Sequence, residues 1–282
     1  MHQLNWEEIN GIIERALSED IGSGDVTAMA MKIDRDAEAH IVSKEQGVLA
    51  GIAVAEHVFR KLDPGADIHT LKKDGEQLSA GERILRISAK GNSILRAERT
   101  ALNILGRMCG IATLAKTYAE RAKGTGCRIF DTRKTMPNLR VLDKYAVTCG
   151  GAENHRYGLY DMILIKENHI RWAGGIKKAL QSAVRFAETR DLRVEVEVTN
   201  IDEYKKALQF PVDMIMLDHF SLQDLQTAVG TDHGSVLLEA SGNVNLQRVR
   251  SIAETGVDII SVGELTHSVK SHDLSLLFHV SR

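Results

Sequence analysis

Apolar residues recur at helical spacing in two parts of the chain. Between Trp6 and Leu17 they lie three or four positions apart, which predicts an amphipathic helix that ends before the glycine-rich turn at 22–25. Residues 93–122 follow the same period, and the pair at 109–110 predicts a break in this second helix. One face of the second helix carries polar side chains, namely Arg96, Arg99, Asn103 and Arg107.

The pattern changes to the β-strand type between these two helices. From about residue 37 to residue 90, short apolar runs such as 40–42 and 83–87 are separated by Asp-Gly and Ala-Gly turns. This stretch therefore predicts a small sheet domain.

An internal repeat organises the second half of the chain. An aspartate, a short apolar run and a residue of a different kind recur at 161–166, 213–218 and 258–263. Further strands are predicted at 127–132, 193–198 and 236–240. About six strands thus alternate with helices, which predicts a parallel sheet covered by helices. No G-x-G-x-x-G turn follows the first strand, so an α/β barrel is favoured over an open doubly wound sheet, which stays an alternative.

Composition narrows the possible compartments and partners. Hydrophobic residues make up 43% and charged residues 26% of the chain, which is typical of a folded globular protein. A net charge of −2 gives no basic field for nucleic acid or a membrane surface, so neither partner is expected. The N-terminal residues lack a secretory signal pattern, and the three widely spaced cysteines fit neither a zinc site nor a disulfide framework. We therefore expect a cytoplasmic protein.

Polar or small residues follow the predicted strands of the second half. In barrels and open parallel sheets, ligands bind at the carboxyl ends of the strands. A single charged residue at such a position is usually a helix cap or a turn residue, but six ends that meet at one rim favour a ligand site. These ends carry Arg133, Lys166, Glu197, Asp218, Ser241 with Gly242, and Gly263.

Cations dominate the early part of this rim. Arg133 and Lys134 follow the first barrel strand, and Arg156 follows His155 in a glycine-bounded loop before the second strand. Arginine presents a planar fork to a carboxylate and lysine a point charge, so together they suit a dicarboxylate. The alternative is a surface cluster of charges.

Carboxylates dominate the middle of the rim. Strict alternation at 194–198 places Glu195 and Glu197 on one face, which points into the barrel. An unpaired buried carboxylate is costly, so we predict that Glu195 pairs with a buried base such as Lys166. Glu197 and Asp218 lie nearer the rim and suit ribose hydroxyls or magnesium.

Small residues end the last two barrel strands. Ser241, Gly242 and Asn243 close one strand, and Gly263 and Glu264 follow the other. Small side chains allow a ligand to approach backbone amides, and phosphate is the usual occupant of such places in barrels. Glycine also ends strands for purely conformational reasons.

Six segments, in this order and spacing, resemble the quinolinate phosphoribosyltransferase family. They are EDIGSGDVT (19–27), AERTALN (97–103), DTRKT (131–135), ENHR (153–156), IKENH (165–169) and SVGELTH (261–267). The resemblance covers almost the whole chain. It implies an N-terminal α/β sandwich over residues 1–110 and an open α/β barrel of about six parallel strands over 111–269. The tail at 270–282 is expected to pack back on the N-terminal domain.

The resemblance also implies an activity and an assembly. Phosphoribosyl pyrophosphate and quinolinate would react to give nicotinate mononucleotide, pyrophosphate and carbon dioxide in NAD biosynthesis, with Mg²⁺ required. The active sites would be shared in a homodimer, which can assemble further to a hexamer.

The family's residue roles transfer to matching positions of this chain. Arg133, Lys134, Arg156 and the partner subunit's Arg99 would hold the two carboxylates, with His155 beside the ring. Lys166, Glu197 and Asp218 would hold the ribose and the magnesium pyrophosphate, with Glu197 and Asp218 as metal ligands that act mainly through the pyrophosphate. With Lys134, these three form the predicted catalytic set. The 5′-phosphate would be surrounded by Ser241, Gly242, Asn243, Val262, Gly263 and Glu264. Where Glu264 stands many relatives carry alanine, so it is expected to meet phosphate through its backbone.

Two alternatives stay open at this point. One is a paralogous transferase of the same fold that acts on nicotinate or another anionic substrate, although a monocarboxylate needs fewer cations than the predicted set provides. The other is a non-enzymatic phosphate-binding barrel beside a carrier-like sheet. That reading lacks a lysine displayed in a tight hairpin.

Overall fold

The computed structural model describes residues 4–280, so residues 1–3 and 281–282 of the predicted domains lie outside the described residues. The helices are α1 (Trp6–Ile21), α2 (Val26–Met31), α3 (Ile52–Leu62), α4 (Gly91–Ala122), α5 (Arg140–Cys149), α6 (Glu167–Ala173), α7 (Ile176–Glu188), α8 (Ile201–Ala207), α9 (Leu222–Val229), α10 (Val249–Ala253) and α11 (Glu264–His267). The strands are β1 (Asp36–Ser43), β2 (Gly47–Val48), β3 (Asp67–Thr70), β4 (Gln77–Leu78), β5 (Arg83–Lys90), β6 (Arg128–Phe130), β7 (Ile163–Ile165), β8 (Val194–Val198), β9 (Met214–Asp218), β10 (Leu237–Ser241), β11 (Ile259–Ser261) and β12 (Leu274–Val280).

The chain forms two compact units. Unit 1 comprises residues up to 116, residues 135–151 and residues from 265 onward, and unit 2 comprises residues 117–134 and 152–264. The predicted domain limits at residues 110 and 269 stay predictions. Within the described part of the chain, no helix is both long and apolar enough to cross a membrane.

Unit 1 is built on a four-stranded antiparallel sheet. Its strand order is β12-β1-β5-β3, and β12 pairs with β1 from Ser43 opposite Leu274 onward. Ala37, Ala39 and Ile41 are buried on one face of β1, and His40, Val42 and Ser43 are buried as well, so both faces of the second half of this strand are covered. The C-terminal strand is thus an integral edge of the sheet.

Helix α4 is continuous, so the predicted break at 109–110 is wrong. The glycines in this helix meet another part of unit 1 rather than end a helix. A Cβ at Gly106 would lie 2.9 Å from the His272 carbonyl oxygen, and one at Gly110 would lie 2.2 Å from that of Lys270. Glycine therefore allows the segment before β12 to pass close to the helix backbone.

Unit 2 contains six parallel strands in the order β6-β11-β10-β9-β8-β7, which confirms the predicted α/β barrel class. The barrel stays open between β7 and β6, and Glu153 forms a parallel bridge with Phe130 beside β6. Buried apolar runs such as Met214–Leu217 form strands because helices cover one face and the barrel interior covers the other.

The repeated aspartates lie at the start of the strands, and their carboxylates accept hydrogen bonds from backbone N–H groups. Asp213 accepts a hydrogen bond from the Val194 N–H at 2.7 Å, and Asp258 accepts one from the Leu238 N–H at 2.8 Å. An apolar cluster of Met162, Met214 and Ile259 fills the interior nearby. The amino ends of the strands are therefore structural, and the opposite ends are left for chemistry.

Candidate active site

The carboxyl ends of the barrel strands form a rim in unit 2, and its first sector is cationic. Arg133 and Lys134 follow β6, and Arg156 lies buried in the loop before β7. The Arg156 guanidinium donates a hydrogen bond to the Met162 carbonyl at 3.1 Å. Burial lowers the pKa of Arg156, and the positive charge of Arg133 lowers it further. Two guanidinium groups close enough to repel each other are suited to an anion.

The second sector pairs a lysine with a carboxylate. The Lys166 ammonium lies 2.5 Å from Glu197 Oε2, and the Glu197 side chain is largely buried. The predicted pairing of Lys166 with Glu195 is therefore wrong. Lys166 directly follows Ile165, which pairs with Val196, so its side chain is level with Glu197 rather than with the deeper Glu195.

Asp218 completes this second sector at the end of β9. Burial is the largest cause that raises the pKa of Asp218, and the negative charge of Glu197 raises it as well. The charges of His219, Lys166 and Lys134 act to lower this pKa. These groups thus lie within electrostatic reach of one another. The His219 imidazole, 3.8 Å from Asp218, was missed by the sequence analysis, because nothing but its adjacency to Asp218 marked it.

The third sector consists of small residues, as predicted. The Ser261 hydroxyl donates a hydrogen bond to the Ser241 hydroxyl at 3.2 Å. Gly242 has a φ of +88°, and a Cβ there would lie 2.7 Å from the His219 ring, so only glycine fits. Asn243 also has a positive φ, and its carbonyl accepts a hydrogen bond from Arg248 at 3.2 Å.

The end of β11 adds the last predicted residues of this sector. Val262 is buried, and its N–H donates a hydrogen bond to the Phe130 carbonyl at 2.9 Å, which places Gly263 beyond the strand end. The Glu264 carboxylate accepts a short hydrogen bond from the Tyr118 hydroxyl. The Glu264 side chain is therefore engaged within unit 2, a contact that the sequence did not reveal.

Beneath the rim lies a layer of buried ionisable side chains. His155 Nε2 lies 3.0 Å from Glu195 Oε2 and 3.2 Å from Glu239 Oε2, and both carboxylates are fully buried. Glu239 was missed although a signal existed, since it is a carboxylate within an apolar strand, in step with Ser241 on the inward face. His155 thus faces two carboxylates in the barrel interior.

Burial and mutual charge shift the protonation of this layer. Burial and the negative charge of Glu239 raise the pKa of Glu195 to about 7, although His155 opposes the shift. Burial acts to lower the pKa of His155, and the two carboxylates act to raise it. Nδ1 of the same ring accepts a hydrogen bond from the Arg156 N–H at 2.8 Å and therefore carries no proton, so the geometry assigns the single ring proton to Nε2.

Arg99 is the predicted site residue that unit 2 does not contain. It lies on α4 in unit 1, with an exposed side chain. Its predicted role across a subunit boundary stays a prediction. The other predicted residues all belong to unit 2.

Glu197 and Asp218 are the side chains best suited to a metal ion at the rim. Magnesium prefers a few carboxylate oxygens together with phosphate and water. The charge of Glu197 acts to raise the pKa of Asp218, so each carboxylate senses the negative charge that a divalent cation would neutralise. Their chemistry therefore fits magnesium.

Known proteins are similar to this chain over nearly its whole length. Residues 25–109 match the quinolinate phosphoribosyl transferase N-terminal domain, and residues 111–277 match the C-terminal domain of the same family. Quinolinate phosphoribosyltransferase [decarboxylating] 1b of Nicotiana tabacum is 43% identical over 95% of this chain and 82% of its own length. The chloroplastic nicotinate-nucleotide pyrophosphorylase [carboxylating] of Arabidopsis thaliana is 41% identical over the same shares. The solved structure of nicotinate-nucleotide pyrophosphorylase from Francisella tularensis superposes with a TM-score of 0.94 at 41% identity, over 98% of each chain.

Proposed function

The chain belongs to the quinolinate phosphoribosyltransferase family and is a decarboxylating glycosyltransferase of NAD biosynthesis, and we propose that the barrel rim of unit 2 is its active site. Cations, carboxylates and small residues occupy separate sectors of this rim, and this division supports the proposal. Each sector suits one part of the substrates, quinolinate and phosphoribosyl pyrophosphate.

The cationic sector binds the two carboxylates of quinolinate. The guanidinium groups of Arg133 and Arg156 can each take a carboxylate through paired N–H groups, and Lys134 adds a point charge. Arg99 of the partner subunit completes this sector in a homodimer with shared active sites. Fixed cations orient the ring so that its nitrogen faces the ribose.

The second sector holds the ribose and the pyrophosphate group of phosphoribosyl pyrophosphate. Lys166, Glu197 and Asp218 bind the ribose hydroxyls, and Glu197 and Asp218 also hold magnesium. When bound, magnesium neutralises charge on the pyrophosphate leaving group. As the bond to pyrophosphate breaks, positive charge develops on the ribose carbon, and the two carboxylates stabilise it.

The small-residue sector anchors the 5′-phosphate. Ser241, Gly242 and Asn243 surround one side of this phosphate, and Val262, Gly263 and Glu264 surround the other. Glu264 meets the phosphate through its backbone, since its carboxylate contacts Tyr118. Binding energy from this remote group helps to fix the ribose in a reactive position.

Transfer and decarboxylation follow from this arrangement. The pyridine nitrogen attacks the ribose carbon, and pyrophosphate leaves with the electron pair of the broken bond. The alkylated ring is cationic, so it accepts the electron pair that remains on the ring carbon when carbon dioxide departs. A proton then replaces the carboxylate, and nicotinate mononucleotide is released.

The location of the enzyme is part of the same proposal. All three cysteines are free thiols, and Cys109 and Cys149 are buried. Free thiols are typical of a reducing compartment, so we propose that the enzyme acts in the cytoplasm.

Arg133→Ala tests the proposed quinolinate sector. Loss of a charged hydrogen bond to a carboxylate costs about 1.5–3 kcal/mol, so kcat/KM for quinolinate should fall about tenfold to a hundredfold. Steady-state kinetics with each substrate varied in turn measure this, and circular dichroism checks the fold.

Arg128→Ala is the matched control, because Arg128 precedes the rim on the same strand and pairs with Glu153 at 3.4 Å. Its kinetics should match those of the unmodified protein. Normal quinolinate turnover by Arg133→Ala would remove Arg133 from the site.

A further inference from the structure

Glu195 and Glu239 have no assigned part in binding or catalysis, yet they bring two carboxylates into the interior of the barrel. Both are fully buried, and none of their carboxylate oxygens forms a hydrogen bond among the described residues, although one oxygen of each lies close to His155 Nε2, at 3.0 Å for Glu195 and 3.2 Å for Glu239. Burying one carboxylate costs several kcal/mol unless it is paired. A purely structural barrel interior would be more stable with apolar residues at these positions.

A metal ion is one explanation for such a cluster, since one ligand atom from each of the three side chains lies within 4.8 Å of the others. The tautomer of His155 argues against it. Nδ1 accepts the Arg156 N–H at 2.8 Å, so the ring proton resides on Nε2, the atom that faces the carboxylates. A protonated nitrogen has no lone pair to offer a metal.

The same hydrogen bond connects this cluster with the cationic sector of the rim. His155 is held from the other side as well, because its backbone N–H donates to Asp131 at 2.9 Å. The backbone N–H of Arg156, the next residue in the chain, donates a hydrogen bond to the His155 ring, and the Arg156 guanidinium donates one to the Met162 carbonyl. A shift of His155 therefore moves Arg156.

We propose that Glu195 and Glu239 are positioning residues that hold the His155 ring between their carboxylates and thereby fix the Arg156 guanidinium for quinolinate. This inference rests on the proposed role of Arg156 in binding quinolinate. Burying two carboxylates lowers the stability of the fold, but it fixes the position of Arg156 at the substrate. A displacement of about 1 Å there can change rates by about a hundredfold.

The test compares two substitutions of the same residue. Glu239→Leu removes the contact with His155 and should raise KM for quinolinate about tenfold, while KM for phosphoribosyl pyrophosphate stays within about twofold. Glu239→Gln keeps an oxygen that can accept the Nε2 proton, so the rise should shrink to about threefold. If Glu239→Leu fails to fold, the value for Glu239→Gln decides alone, and an unchanged quinolinate KM overturns the inference.

Tyr204→Phe is the matched control for a buried polar contact elsewhere in unit 2. The Tyr204 hydroxyl donates to the Ala228 carbonyl at 2.9 Å, and the residue is fully buried. This variant should lose thermal stability without a selective change in either KM. An equal rise in both KM values for Glu239→Leu would show a merely structural role and overturn the inference.

A double-mutant cycle with Arg156→Lys separates this inference from the proposed function. If Glu239 acts through Arg156, the double variant should have nearly the quinolinate KM of Arg156→Lys alone. A large effect of Arg156→Lys with additive effects in the double variant overturns only the role of Glu239. An unchanged quinolinate KM for Arg156→Lys refutes the role of Arg156, and the inference fails with it.

Discussion

Glu195 and Glu197 are two residues apart on one strand, yet they differ in partner and in surroundings. Glu197 lies level with Lys166 near the rim, whereas Glu195 lies deeper, beside His155. Alternation in the sequence predicted that both point inward. It did not predict their partners, because these depend on the register between β7 and β8 and on a loop that enters the barrel before β7.

His272 provides a test at the level of one residue. Its ring contacts the Ser43 hydroxyl at 2.7 Å, and burial lowers its pKa. In the unfolded chain the His272 imidazole takes up a proton at about pH 6.5, whereas in the folded chain it stays neutral at that pH. The stabilisation from neutral His272 is therefore complete above that pH and is lost as the pH falls toward the lowered pKa.

Thermal unfolding at pH 7.5 and pH 5.5 measures this effect. We expect the melting temperature of His272→Gln to fall less between these pH values than that of the unmodified protein. Equal pH dependence in the two proteins would contradict the assignment to His272.

Helix α4 shows what a local pattern can and cannot predict about an element. Its apolar period predicted the helix, and the six barrel strands were likewise predicted from apolar runs bounded by turns, although their ends shifted by one to a few residues. The glycine at 110 was misread as a break. Glycine is needed at this position because the backbone near residue 270, far along the chain, passes close to the helix. No local pattern in the sequence indicates that contact.

Gly110→Ala tests this explanation. In an exposed helix interior the change from glycine to alanine stabilises by about 0.5–1 kcal/mol. Here the new methyl group would meet the Lys270 carbonyl, so we expect a loss of about 1–3 kcal/mol in the free energy of unfolding, measured in urea.

Gly11→Ala is the control within another helix of unit 1. A Cβ at Gly11 meets only the end of the flexible Arg15 side chain, at 3.2 Å, so this variant should be as stable as the unmodified protein or more so. Stabilisation by Gly110→Ala would contradict the proposed close approach.

At the scale of the whole molecule, the order of motifs predicted the family and the fold. Charge at the strand ends separated the rim into sectors, because parallel strands bring their carboxyl ends together whatever their sequence separation. The assembly depends on a second chain, so the role of Arg99 is a matter for experiment.

Mixing two variants of low activity tests the shared active site. Arg99→Ala and Lys166→Ala should each retain only a small part of normal activity, but exchange of subunits should restore about a quarter of it, because half of the dimers then contain one intact site. Mixing Arg133→Ala with Lys166→Ala is the control, since both residues lie in unit 2 and no intact site can form. No recovery with Arg99→Ala would show that Arg99 does not act across subunits.

The most direct test of the assigned activity is pyrophosphate release from phosphoribosyl pyrophosphate in the presence of magnesium, with quinolinate and nicotinate offered separately. Quinolinate should be converted with one carbon dioxide for each pyrophosphate, and nicotinate should react far more slowly, because its single carboxylate leaves part of the cationic sector unoccupied. Equal turnover of both acids, or of neither, would contradict the assignment.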